Sequence, residues 1–208
     1  MAGYCAINSE CSVELYIGCY SDEFLLLTCP EALNLSAAFI ANETGEEAFV
    51  GIHINEELAQ LLTSHTTLET LLASREGLNA FLILVEEISH FHHYVMSAES
   101  DGQVSRFDLE LQAEVDKVII GALALIDTFG RPHISELIHL LFNESVIHGT
   151  LTDYALASKL AEKFWKKNFD QLGSNIIFDS RFRRLLQQAS RKNGEEKIRI
   201  LDTTIQAA

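Results

Sequence analysis

Along the first quarter of the chain, apolar and polar positions alternate with the two-residue period of a strand. Val13, Leu15, Ile17 and Cys19 interleave with Glu14, Tyr16, Gly18 and Tyr20. Ser21-Asp22 reads as a turn, and the apolar run from Phe24 to Cys29 as a second, more buried strand. Pro30 to Ala41 is ambiguous, with a short helix as one option. Asn42 to Glu47, with Gly45, reads as a loop. Val50, Ile52 and Ile54 then put one face on a third strand over Ala48 to Asn55.

From Glu56 onward the spacing becomes helical. Short helices are expected over Glu56 to Leu62 and Thr67 to Ala73, the second capped by Thr66 or Thr67. Two long ones follow, Gly77 to about Ala98 and Arg106 to Thr128, separated by a loop holding Asp101-Gly102. Phe129-Gly130-Arg131-Pro132 is a tight break, with Gly past one helix end and Pro opening the next. Further helices are expected over His133 to His148, Asp153 to about Leu172, and Asp179 or Ser180 to about Lys192. A last short one follows Gly194. The fold class this implies is α+β, mainly helical: a β-rich part, 1–55, packed on a bundle of antiparallel helices, 56–208. Together they make one domain of 208 residues.

The helical stripes carry groups that do not belong in an apolar core. On the first long helix, Leu82, Glu86, His90 and His93 share a face, flanked by Glu87 and Tyr94. On the second, Leu111, Val115, Val118, Ala122 and Leu125 form the stripe, with Glu114 inside it and Glu110 at its edge. On the third, Glu144 and His148 sit among Ile134, Leu137, Leu140 and Leu141. Short turns make consecutive helices antiparallel neighbours, so residues equidistant from a turn lie level. Glu86, Glu87, His90, Glu110, Glu114, Glu144 and His148 are therefore expected in one layer. A buried carboxylate is normally paired, hydrogen-bonded or metal-bound, because an uncompensated one costs several kcal/mol. Carboxylates mixed with imidazoles suit a divalent metal, zinc first and iron as the alternative. A satisfied polar core without a ligand is the competing expectation.

Glu136 and His139 supply a second ExxH spacing, of the kind that di-iron bundles use. Both fall off the apolar stripe and read as a solvated surface pair. His92 and His93 read as exposed or packing residues.

Glu86-Glu87-Ile88-Ser89-His90-Phe91 resembles the active-site helix of zincin metallopeptidases, in which HExxH precedes an apolar residue. The resemblance covers roughly residues 48–125, including a preceding strand and a downstream segment, Glu110 to Asp116, similar to the one that gives gluzincins their glutamate ligand. It implies His90 as a metal ligand, Glu87 as the general base that activates water, and Glu110 or Glu114 as a further ligand. The departure is Glu86, which stands where the family has its first histidine. The resulting expectation is a metal-dependent hydrolase or peptidase with Glu86, His90 and Glu114 as ligands. Glu144 and His148 would support them or hold a second metal. The alternatives are a ferritin-like di-iron oxidase or oxygenase using Glu87 and His90 as its ExxH, and a non-catalytic interaction module on a degenerate metallopeptidase fold.

Charge narrows the partners. The formal net charge of −15 disfavours nucleic acid and anionic membrane, leaving a peptide substrate or a protein partner. Lys166-Lys167 with Arg181, Arg183 and Arg184 form a local basic patch that reads as a solvated helix face. Cys5, Cys11, Cys19 and Cys29 include no CxxC, so reduced thiols and a cytoplasmic setting are expected. The first residues lack the basic and apolar regions of a signal peptide. No GxSxG, phosphate loop or dinucleotide fingerprint occurs.

Overall fold

A computed structural model describes residues 2–7, 11–44, 47–99, 104–130, 133–143, 152–203 and 205. Its architecture is α+β and mainly helical, with a small N-terminal sheet. The chain divides into two compact units, Met1–Phe91 and His92–Ala208.

In the first unit, strands β1 (Ala2–Ile7), β2 (Cys11–Gly18), β3 (Ala37–Thr44) and β4 (Glu47–Ile54) form one sheet in the order β1-β2-β4-β3. β1 and β2 pair antiparallel, β2 and β4 parallel, and β3 and β4 antiparallel, with Phe39 opposite Ile52. Between β2 and β3 lies helix α1 (Asp22–Thr28), followed by a 3₁₀ turn over Pro30–Asn34. The Phe24 to Cys29 run is thus helical rather than a strand. Ser21 is not a turn residue but a cap, its Oγ accepting the Phe24 N–H at 3.3 Å. The burial agrees: Leu25 is inside while Leu26 and Leu27 face out, a one-sided pattern that a short apolar run does not reveal by periodicity. Leu25, Ala32, Ala38 and Ile40 form one core cluster, and Ala37, Leu58 and Ala80 another.

Helices α2 (Glu56–Ser64), α3 (Leu68–Leu72) and α4 (Arg75–Glu99) follow. Asn55 caps α2 and Thr67 caps α3. Ser74 Oγ accepts the Gly77 N–H at 2.9 Å, so α4 begins just before Gly77. A Cβ at Gly77 would come 2.0 Å from the Leu71 carbonyl oxygen, so only glycine lets α3 end this close to α4.

In the second unit, α5 (Arg106–Phe129) opens on a capping box between Ser105 and Asp108 and closes on Gly130 at φ 74°. Then come α6 (Ile134–Asn143), α7 (Thr152–Leu172), a 3₁₀ turn, α8 (Ser180–Ser190) and α9 (Gly194–Leu201). The core includes Phe164, Trp165 and Phe182, with Phe164 and Phe182 stacked at 5.4 Å between centroids. None of the described helices is long and apolar enough to cross a membrane.

Candidate metal site and the buried polar groups around it

Glu87 faces inward from α4, 8% exposed, and its Oε2 accepts the backbone N–H of Phe39. Among the described strands β3 is the last of the sheet, so one of its edges lies outside the ladder. Glu87 satisfies a donor on that strand, which would otherwise carry a desolvation cost of about 1–3 kcal/mol. The same Oε2 lies 3.4 Å from His90 Nδ1, and the Phe39 ring sits 6.5 Å from the imidazole. A carboxylate at Nδ1 holds the proton there and leaves the lone pair on Nε2. Histidine ligands in metal sites are oriented in the same way.

Glu86 is half-buried and His90 buried, spaced i and i+4 on α4, while Glu110 is buried on α5. Among the described residues, Glu86, His90 and Glu110 are a group that could bind a divalent metal. Arg106 Nε stands 3.7 Å from Glu110 Oε1, a half-exposed cation whose hold on the carboxylate is weak.

Glu114 is placed differently. It is 1% exposed, and Lys117 Nζ donates to its Oε1 at 2.7 Å, with Lys117 itself buried. This is a buried ion pair at i and i+3, which the apolar stripe around Glu114 conceals. Lys117, one turn on, is the signal in the sequence that points to it. Glu144 and His148 lie outside the described residues. Glu136 and His139 are both exposed, in keeping with a surface pair, and Glu136 holds Ser135 Oγ and His133 rather than facing a site.

A second buried polar group lies wholly in the second unit. His93 Nε2 is 3.1 Å from Asn193 Oδ1 and 3.0 Å from Lys197 Nζ. Lys197 is 0% exposed. Asp108 supplies the opposite charge, and its Oδ1 also accepts the Gly194 N–H at 2.6 Å, tying the start of α5 to the start of α9. Burial, and then the Lys197 charge, pull the His93 pKa down to about 4. Burial pulls Lys197 down to about 8, against the attraction of Asp108 and Asp116. One ring nitrogen cannot donate to a carbonyl and accept from an ammonium at once. The protons on His93 and Lys197 are therefore linked. Periodicity marks His93 as inward-facing, but no local pattern announces a lysine 104 residues away.

Elsewhere, His53 is buried on β4, where its Nδ1 accepts the Tyr20 N–H at 3.3 Å. Burial lowers its pKa. Among the described residues Cys19 is an exposed thiol, and Cys29 is half-buried. No family model matches the chain, and no curated protein and no solved structure matches it.

Proposed function

We propose that this protein holds a resident divalent metal ion, with Glu86, His90 and Glu110 as its ligands and Glu87 as the carboxylate that orients His90. The observation that carries the reading is the Glu87–His90 contact, which directs a basic Nε2 away from Glu87 as a metal ligand requires. The donor set, two carboxylates and one imidazole, suits zinc, iron or manganese, and zinc is the favoured ion.

The narrower reading is hydrolytic and zincin-like. Three protein ligands leave a coordination position for water, whose pKa the metal would lower to about 7. In that reading Glu87 would also take the proton of the attacking water, as the likeness of EEISHF to the zincin helix implies. Its bond to Phe39 favours a positioning role over that of a base. The di-iron reading would need ligands beyond these three.

Metal analysis of the purified full chain tests the proposal. One divalent ion per chain is expected. Glu110→Gln and His90→Ala should each lower the content, whereas Glu114→Gln should leave it near the parent value, since Glu114 is engaged by Lys117. Glu87→Gln should weaken binding by about 10–100-fold, as loss of an orienting carboxylate commonly does. Full metal content in His90→Ala would overturn the assignment. Peptide hydrolysis that appears with added zinc and vanishes in Glu87→Gln would support the narrower reading.

A further inference from the structure

The helical unit carries a cavity of about 310 Å³ that none of the groups above uses. It lies between α5, α7 and α9. Its volume is near the lower end of the roughly 300–1,000 Å³ typical of small-molecule pockets. The wall is hydrocarbon: Leu111, Leu160, Phe164, Ile198 and Leu201.

The mouth is charged, and its balance is unusual for this chain. Acids outnumber bases 30 to 15 along the sequence, yet three of the five charged side chains at the cavity are cations, Lys163, Lys167 and Arg199. The acids there are Glu195 and Asp202. Lys163 Nζ donates to Asp202 Oδ1 at 2.8 Å, and Lys167 Nζ to the Asp202 carbonyl oxygen at 2.5 Å. These contacts are exposed and cheap to exchange. Arg199 is exposed, and among the described residues its guanidinium has no ion-pair partner. A planar guanidinium at the edge of an apolar cavity is suited to a carboxylate in the two-pronged geometry.

We propose that this cavity binds a small anionic amphiphile, a medium-chain carboxylate. Its hydrocarbon body lies along Leu160, Phe164 and Ile198, and its head lies on Arg199 and the two lysines. Lys167, half of a Lys-Lys pair that reads in the sequence as solvated surface, then belongs to the head-group site. The inference is independent of the metal reading.

The single tryptophan of the chain, Trp165, stands 5.7 Å from the cavity-lining Phe164 ring and reports on occupancy. The full chain is titrated with decanoate below its micelle concentration, with decanol and acetate in parallel. A saturable fluorescence change is expected with decanoate, a response about tenfold weaker or more with decanol, and none with acetate. Arg199→Glu should weaken decanoate by about tenfold or more and leave decanol unchanged. Leu160→Phe, which narrows the cavity, should weaken both. Circular dichroism confirms that each variant is folded, and Arg199→Ala stands in if Arg199→Glu is not. Equal binding of decanol and decanoate would overturn the proposal. So would unchanged decanoate affinity in the folded Arg199 variant, no saturable change at all, or a signal that tracks loss of helical structure.

Discussion

His90 and His93 stand one turn apart on α4, both buried, and they meet opposite partners. His90 presents Nδ1 to the carboxylate of Glu87; His93 presents Nε2 to the ammonium of Lys197. A carboxylate fixes the tautomer and makes the far nitrogen a better ligand. An ammonium, with burial, keeps the ring neutral to about pH 4 and occupies its lone pair. The two residues share one stripe of one helix, so the stripe does not decide what each can do. The decision comes from residues distant in sequence: the Phe39 N–H, which holds the Glu87 carboxylate, and α9, which brings Lys197.

Abolishing the difference should have the largest effect. Glu87→Lys would give His90 the surroundings that His93 has. It would also strip the Phe39 N–H of its acceptor and place a cation at a buried position. A loss of roughly 3–5 kcal/mol is expected, read as a lowered denaturant midpoint. Metal content should fall with it. A variant as stable as the parent would mean that the Glu87 contacts contribute little.

Changing the other half is gentler, and its signature is in the pH dependence. His93 binds a proton near pH 4 in the folded chain and at 6.5 when unfolded. Between those values the unfolded chain holds the extra proton, so stability rises with pH across the window and is lost as pH falls toward 4. The span corresponds to roughly 3 kcal/mol at most. Lys197 acts in the same sense at the alkaline end. Its charge is disfavoured in the fold, so stability rises again from about pH 8 toward 10.5. Lys197→Met removes the second-largest of the three causes that hold His93 down, burial, Lys197 and His92. His93 should then titrate above 4 and still below 6.5, because burial, the largest cause, remains. Urea midpoints at pH 4.5, 7 and 10 should show a shallower acid slope and no alkaline rise. An unchanged acid slope would show that the Lys197 charge contributes little to the lowering of His93.

What the sequence disclosed follows the same division. Local signals are carried by neighbours, and they sufficed for α4 and α5. Gly130 marks the end of α5 within a residue, because caps are short-range chemistry, and the Ser105–Asp108 capping box that the structure adds at its start is equally local. The inward placement of Glu87, His90, Glu110 and Glu114 is also local, a matter of helical phase. Three things lay beyond reach. β1 exists through its pairing with β2, a partnership invisible in a segment that barely alternates. The helix over Asp22–Thr28 is chosen by the Ser21 cap and by burial of Leu25 alone, against an apolar run equally suited to a strand. Lys197 reaches His93 only through the packing of α9. Preference for Glu114 over Glu110 fell between these cases: Lys117 is only three residues on, but a lysine in a stripe gives no sign of being buried until the fold is known.

The smallest expected effect sharpens the comparison by its near absence. Glu136 and His139 have the same i and i+3 spacing as Glu87 and His90, on a different helix, and both are exposed. In water a carboxylate and an imidazole gain little from each other, about 0–1 kcal/mol, and neither is held in the orientation a metal needs. Glu136 has its pKa lowered by its own backbone and by Ser135 more than by His133, an arrangement complete without an ion. The double variant Glu136→Ala, His139→Ala should therefore shift stability by less than about 0.5 kcal/mol and leave metal content unchanged. If the metal were lost instead, spacing alone would make a ligand pair. Burial and a fixed tautomer would then no longer explain why His90, rather than any other imidazole three residues from an acid, is the one to bind.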